Sequence, residues 1–319
     1  MLTYILFAIG FVLLIKGADL LVDGSASIAK RLKISSIVIG LTIVAFGTSA
    51  PEFIVNIFAS AQGQSDIAVG NILGSNIANI LLILGISAII YPLTAKSNTV
   101  LKEIPLSLLA IIILGLMAND KLIDGASLSS ITRIDGLVLI GFFIIFLYYT
   151  FGIRKSGKES IELDKIETHS YPKSISFIIF GLIGLVVGGK WIVDGAVSIA
   201  EFFHISQSLI GLTVVAIGTS LPELATSAVA AYKKHSDIAI GNVVGSNIFN
   251  IFWILGVSAI IRPLPFSPSS NKDVMMTVFA SILLFAVMFI GKRHVIEKWQ
   301  GACMIVTYCG YIGLLVWMG

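Results

Sequence analysis

Charge is what this sequence has least of. Of its 319 residues only 12% are Asp, Glu, Lys or Arg, 56% are hydrophobic, and the mean hydropathy is +0.98. Such a chain is too poor in polar side chains for a water-soluble globule and reads as an integral membrane protein. Cysteine is nearly absent. Cys303 and Cys309 share one late apolar segment, which excludes a disulfide framework or a thiolate metal site. Both are read as small apolar residues buried in the packing. The four histidines, His169, His204, His235 and His294, fall in expected loops or helix ends, which argues against an intramembrane imidazole site or proton relay. A cleavable leader is not expected either. The start lacks a positive n-region and carries Lys16 and Asp19 inside its apolar run. The net charge of +3 says little until the charges are placed, and no nucleic-acid partner is expected.

Apolar segments near the ~20 residues needed to span a bilayer recur ten times. They lie near 2–28, 36–60, 67–91, 101–118, 134–153, 174–200, 207–231, 238–261, 273–291 and 299–318. The expected fold is therefore an all-α polytopic membrane protein of ten helices, with lipid as its main surroundings. The only sizeable polar stretch, 154–173, is too short to fold alone and reads as a linker between a first half, 1–153, and a second, 174–319. Lys and Arg positions set the orientation. Fifteen of the 21 fall on the side that receives Lys30, Lys96, the linker, Lys233 and Lys292, and four fall on the other: Lys121, Arg133, Arg262 and Lys272. The rich side is cytoplasmic on this reading. Both termini then face outward from the cell's inner (plasma) membrane.

The two halves are copies. Residues 17–93 align with 188–264 without a gap, and 42 of the 77 positions are identical. Five spans is an odd number, so the second copy enters the membrane from the opposite side. An inverted-topology repeat of this kind places a substrate site at the midplane between the halves.

Within the repeat, Gly40-Leu41-Thr42-Ile43-Val44-Ala45-Phe46-Gly47-Thr48-Ser49-Ala50-Pro51-Glu52 recurs as Gly211-Leu212-Thr213-Val214-Val215-Ala216-Ile217-Gly218-Thr219-Ser220-Leu221-Pro222-Glu223. Each copy puts a glutamate amid an apolar run, where a carboxylate costs roughly 2.5–3.5 kcal/mol on insertion scales and marks a functional site. The proline before it has no N–H and clashes with the carbonyl four residues back. Backbone loosened at that depth is tolerated only inside protein or beside a wet cavity. A carboxylate, hydroxyls and free carbonyls make a hard oxygen set suited to Ca²⁺. A second motif follows: Gly70-Asn71-Ile72-Leu73-Gly74-Ser75-Asn76-Ile77-Ala78-Asn79, repeated as Gly241-Asn242-Val243-Val244-Gly245-Ser246-Asn247-Ile248-Phe249-Asn250. Ser75 and Asn79 share a helix face, as do Ser246 and Asn250. The glycines four apart favour close helix approach. Asp23 and Asp194 read as capping or packing groups near segment ends, and Lys233 and Lys234 as cytoplasmic anchors.

These four motif copies, in this order, are similar to the two α-repeats of the sodium/calcium exchanger family within the cation/Ca²⁺ antiporter superfamily. Nearly the whole chain resembles its compact prokaryotic members. The resemblance implies a four-helix core from segments 2, 3, 7 and 8, with segments 1 and 6 sliding across it. It implies Na⁺ and Ca²⁺ competing for overlapping sites, with no cofactor beyond the transported ions. Glu52 and Glu223 would be the central Ca²⁺ carboxylates. Thr48 and Thr219 would lend backbone carbonyls, Ser49, Ser220, Ser75 and Ser246 would complete flanking Na⁺ sites, and Asn79 and Asn250 would fill the remaining central positions. Some archaeal members and the potassium-dependent branch carry Asp where this chain has Asn250, so K⁺ dependence is not expected. The large regulatory insert of animal members has no counterpart in the short linker. Two other readings use the same glutamates. One is H⁺/Ca²⁺ exchange, although the proton-coupled branch usually shows a different core motif. The other is an intramembrane hydrolase with the pair as acid and base. With no histidine in the core, and a symmetry better suited to cation coordination, no enzyme activity is expected.

Overall fold

The computed structural model describes residues 2–152, 168–202 and 216–318. Long apolar runs become helices because a backbone in hydrocarbon must satisfy its own hydrogen bonds. The first half runs α1 (Leu2–Leu32), α2 (Ser36–Thr48), α3 (Ala50–Gln62), α4 (Ser65–Ile90), β1 (Leu93–Thr94), α5 (Thr99–Met117), β2 (Ser130–Ile131) and α6 (Arg133–Gly152). The second runs α7 (Tyr171–Phe202), α8 (Ala216–Thr219), α9 (Leu221–Tyr232), α10 (Ser236–Ile261), β3 (Leu264–Pro265), α11 (Asn271–Val287), β4 (Val295–Ile296) and α12 (Lys298–Met318). Among the described residues eight helices are long and apolar enough to span alone, and α2 with α3 forms a ninth, bent span. The span expected at 207–231 begins outside the described residues; α8 and α9 are its described part. The linker expected at 154–173 lies outside them up to residue 167, and α7 starts at Tyr171, ahead of the expected 174.

Burial separates the core from its surround. In α4 and α10, 78% of the spanning window is buried, against 22–39% in the other six single spans. These two helices occupy the centre and carry the second motif. Their glycines do not all behave alike. A Cβ on Gly245 would stand 2.8 Å from the Leu41 Cα, and one on Gly241 would stand 3.1 Å from the Gly40 Cα, so α10 lies almost backbone to backbone on α2. The repeat-equivalent neighbours of Gly70 and Gly74 fall around 208–216, almost wholly outside the described residues.

α1 and α7 pair antiparallel along a glycine seam. A Cβ on Gly10, Gly17 or Gly24 would stand 2.9, 2.8 or 2.7 Å from the carbonyl oxygen of Gly188, Gly181 or Ser174. Small residues at this spacing let two helix backbones touch. The Ser27 and Ser174 hydroxyls, 2.8 Å apart, close one end of the seam.

Two short antiparallel ribbons tie the halves crosswise. Leu93 and Thr94 pair with Ile296 and Val295, while Ser130 and Ile131 pair with Pro265 and Leu264. Leu93 and Leu264 are repeat equivalents, so the ribbons sit at opposite ends, as an inverted repeat demands. The ribbon of β1 and β4 shares its end with the Lys96–Asp237 pair at 2.8 Å. The ribbon of β2 and β3 shares the other end with the reciprocal amide bonds of Asn119 and Asn271, 2.8 and 2.9 Å. The loops therefore segregate into the same two groups that the Lys/Arg distribution separates.

Two readings need correction. Cys303 and Cys309 are exposed rather than buried. α12 presses Gly301 onto Gly85 of α4 and turns another face outward, and in hydrocarbon an apolar side chain gains nothing by further burial. Lys233 is more than a cytoplasmic anchor. Its Nζ lies 2.5 Å from Asp19 and 2.7 Å from Asp23, so Asp23 serves in an ion cluster instead of capping a helix.

In a variant with Cys303 and Cys309 replaced by serine, a cysteine at Gln64 is expected to react with membrane-impermeant maleimide in intact spheroplasts. One at Lys292 is expected to react only with a permeant reagent. The opposite labelling would invert the orientation.

Candidate cation site

The site is built where two helices break. α2 and α3 meet at 48°, with Ser49 at φ −80° and ψ 7°, and Ser220 repeats that backbone between α8 and α9 at φ −86° and ψ 5°. Pro51 and Pro222 stand in the first turn of α3 and α9, where a missing N–H costs no helix bond. The break therefore falls just before the proline. Glu52 and Glu223 follow in that same first turn, at the positive end of the new helix dipole, which favours a carboxylate. Both are buried, 0% and 1% exposed.

Each carboxylate is served by both repeats. Ser49 Oγ donates to Glu223 Oε1 at 2.9 Å, and Ser220 Oγ donates to Glu52 Oε1 at 3.2 Å. Ser75 Oγ reaches Glu52 Oε1 and Ser246 Oγ reaches Glu223 Oε1, both at 3.4 Å. A break serine thus crosses to the other repeat's glutamate, and a helix serine stays with its own. All four hydroxyls use Oε1. Oε2 of Glu52 and of Glu223 has no hydrogen-bond partner, although it is buried.

Asn79 and Asn250 lie one turn beyond Ser75 and Ser246, each in a π-helical stretch, Asn79–Ile83 and Phe249–Leu255. Such turns recur at functional sites. Their amide nitrogens are used: Asn79 Nδ2 donates to Asn247 Oδ1 at 3.0 Å, and Asn250 Nδ2 donates to Asn76 Oδ1 at 2.8 Å. Their Oδ1 atoms, like the two Oε2 atoms, are buried without a partner. Four acceptor oxygens, two from each repeat, are thus buried without a hydrogen-bond partner. Two carboxylate and two amide oxygens, an oxygen-only set of this kind, match a hard cation. Among the described residues no three His, Cys, Asp or Glu side chains come together.

Thr48 is buried, and its hydroxyl donates to Asn242 Oδ1 at 3.0 Å. Asn242 in turn donates to the Glu223 backbone carbonyl at 3.3 Å and to Ser227 at 3.0 Å. Thr219 is half-buried beside Ser220. The structure thus brings Ser49, Ser75, Ser220 and Ser246 onto the two glutamates at the breaks, while Asn79 and Asn250 pair with Asn247 and Asn76. Asn76, Asn247 and Asn242 were missed as participants. Asn76 is three residues before Asn79, a spacing that also shares a helix face, so the signal was present in the motif.

With that geometry in view, the similarities to known proteins are specific. A family model described as sodium/calcium exchanger protein matches residues 2–152 and 173–317. The chain belongs to the sodium/calcium exchanger family. Inner membrane protein YrbG of Escherichia coli is 34% identical over 98% of this chain and 96% of its own length. Sodium/calcium exchanger MaX1 of Methanosarcina acetivorans is 30% identical over 99% of both. A solved structure of the sodium-calcium exchanger NCX_Mj, soaked with Na⁺ and Ca²⁺, superposes with a TM-score of 0.84 at 36% identity and covers 98% of each chain. The two inverted five-helix repeats are consistent with the family's fold.

The glycine before each break is explained by the helix lying over it. A Cβ on Gly47 would overlap Leu182 of α7, and one on Gly218 would overlap Val193 of the same helix. Gly47→Ala is expected to destabilise the detergent-purified protein by about 1–3 kcal/mol through overpacking, read as a lower unfolding temperature. Leu182→Ala in the same chain should recover most of the loss. If the double variant is no more stable than Gly47→Ala, α7 does not set this glycine.

Proposed function

We propose that this protein exchanges Na⁺ for Ca²⁺ across the cell's inner membrane by alternating access, through one site shared by its two repeats. The observation that carries the reading is the set of four buried, unpartnered oxygens: Glu52 Oε2, Glu223 Oε2, Asn79 Oδ1 and Asn250 Oδ1. Glu52 and Glu223 are the central Ca²⁺ carboxylates on this reading, with Asn79 and Asn250 completing the centre. Thr48 and Thr219 lend backbone carbonyls at the breaks, and Ser49, Ser75, Ser220 and Ser246 hold the flanking Na⁺ positions. The halves are 1–153 and 174–319 with a cytoplasmic linker at 154–173, and both termini are extracytoplasmic, in keeping with the Lys/Arg bias.

The coupling follows from charge. Two ionised glutamates give an empty site a charge of −2, which is costly to carry past a low-dielectric gate. Ca²⁺ cancels that charge, and so do two or more Na⁺. Only loaded forms change access, which makes exchange obligatory and a leak costly. The α1–α7 pair is suited to move as one body. Its helices touch along their glycine seam, and α7 rests on both breaks through Leu182 and Val193. No cofactor takes part and no covalent chemistry is needed.

In proteoliposomes, an outward Na⁺ gradient is expected to drive Ca²⁺ uptake without K⁺ on either side. Uptake driven equally by a pH gradient without Na⁺ would replace Na⁺ by H⁺ as the coupling ion. Glu52→Gln and Glu223→Gln each remove one charge and keep a carbonyl. Removing one member of a buried charge cluster costs about 3–5 kcal/mol, so Ca²⁺ affinity should fall on the order of 10²–10³-fold. Both variants should remain monodisperse, since a neutral side chain is easier to insert than a charged one. Near-normal flux in either would remove its glutamate from the site.

A further inference from the structure

Asn76 and Asn247 are not among the expected ion ligands, yet each has both ends of its amide engaged. Asn76 Oδ1 accepts from Asn250 Nδ2 at 2.8 Å, and Asn247 Oδ1 accepts from Asn79 Nδ2 at 3.0 Å. Their own amide nitrogens donate to each other's backbone carbonyls, Asn76 Nδ2 to Asn247 O at 3.3 Å and Asn247 Nδ2 to Asn76 O at 3.5 Å. All four residues are buried, and each bond crosses from one repeat to the other.

An asparagine amide has two ends of nearly equal size and opposite polarity. Turned one way it offers a cation its oxygen; turned the other way it offers an NH₂ with partial positive charge. Shape alone does not choose between them. The choice is made by what stands behind the amide. If Asn250 turned over, its oxygen would face Asn76 Oδ1, acceptor against acceptor. Asn76 cannot turn to relieve this, because its nitrogen is held by a backbone carbonyl that only accepts. The same holds for Asn79 and Asn247.

We propose that Asn76 and Asn247 are positioning residues that lock the amides of Asn250 and Asn79 with their oxygens toward the cation, each repeat orienting the other's ligand. This rests on the reading of Asn79 and Asn250 as ion ligands. A released amide turns its NH₂ toward the ion for part of the time, and that repels a divalent cation more than a monovalent one. Loss of the lock therefore weakens Ca²⁺ more than Na⁺.

The test is a double-mutant cycle on Na⁺-driven Ca²⁺ flux in reconstituted, monodisperse protein. Asn76→Ala is expected to lower apparent Ca²⁺ affinity about tenfold, the scale of a buried hydrogen bond lost with its partner left misplaced, with a smaller change for Na⁺. Asn250→Asp has two equivalent oxygens and nothing to orient. In that background Asn76→Ala should leave Ca²⁺ affinity within about twofold, the range of additivity for uncoupled sites, or raise it by removing a facing acceptor. An equal loss in both backgrounds, or none in either, would overturn the lock. Asn247→Ala with Asn79→Asp repeats the cycle in the other half. If neither alanine variant gives monodisperse protein, the asparagines serve packing and the proposal is overturned. Near-normal Ca²⁺ affinity in Asn250→Ala would instead remove Asn250 as a ligand, and normal flux in Glu52→Gln would remove the site itself; neither result depends on the lock.

Discussion

Two carboxylates held in the hydrocarbon span lose their hydration and repel each other, and much of the middle of this protein is arranged around that cost. Each glutamate stands at a helix N-terminus created by a break in mid-membrane, so the dipole of a short helix replaces part of the lost water. Each receives two serine hydroxyls on one oxygen and keeps the other free. The breaks themselves would be intolerable facing lipid. They are covered by α7 on one side and by the buried helices α4 and α10 on the other, and these are the helices that bring the remaining oxygens. Cost and function therefore have one origin, because a half-satisfied carboxylate in a dry interior is also a strong ligand for a hard cation.

The inverted repeat turns this into a shared site instead of two separate ones. Ser49 serves Glu223 and Ser220 serves Glu52; Asn76 holds Asn250 and Asn247 holds Asn79. Neither half completes its own shell. Docking the halves, which the crosswise ribbons at the two ends also join, is thus a condition for forming these hydrogen bonds and, on the proposed reading, for binding the cation. A change in the angle between halves or in the cover given by α1 and α7 would be felt at all four oxygens together, which is what a transporter with one site and two mouths needs.

Much of this was legible in the sequence, for definable reasons. Hydropathy places the spans because lipid punishes polar backbone directly, and the Gly-Thr-Ser-x-Pro-Glu copies locate the breaks because proline and buried charge have few other uses there. The 77-residue alignment carries the pseudo-twofold into the serine–glutamate and asparagine–asparagine pairings at the site. Less legible were features whose cause lies in a distant segment. The two ribbons are only two residues per strand, below any periodic signal. Asn76 and Asn247 look like helix-packing residues until the amides opposite them are known. Cys303 and Cys309 were read by the rule for water-soluble proteins, where an apolar residue gains by being inside; on α12 the outside is apolar as well. Asp23 needed Lys233, 210 positions away, before its role was apparent.

The repeats agree at the centre and differ at the ends, and the difference has a consequence for how the protein moves. Lys233 bridges Asp19 and Asp23 of α1 at one end. The repeat-equivalent positions at the other end are Gln62, Lys190 and Asp194, so no cation stands where Lys233 would have its counterpart. Breaking an ion pair that is only partly exposed costs more than breaking a fully hydrated one. If α1 and α7 slide relative to the core, they leave a charged contact at one end and, among the described residues, no ion pair of that kind at the other. Identical repeats would make the two access states equal in free energy, and a symmetric centre cannot distinguish them. On the alternating-access reading, the preference for one state therefore resides in the ends, while the central oxygens decide only which ions allow the change.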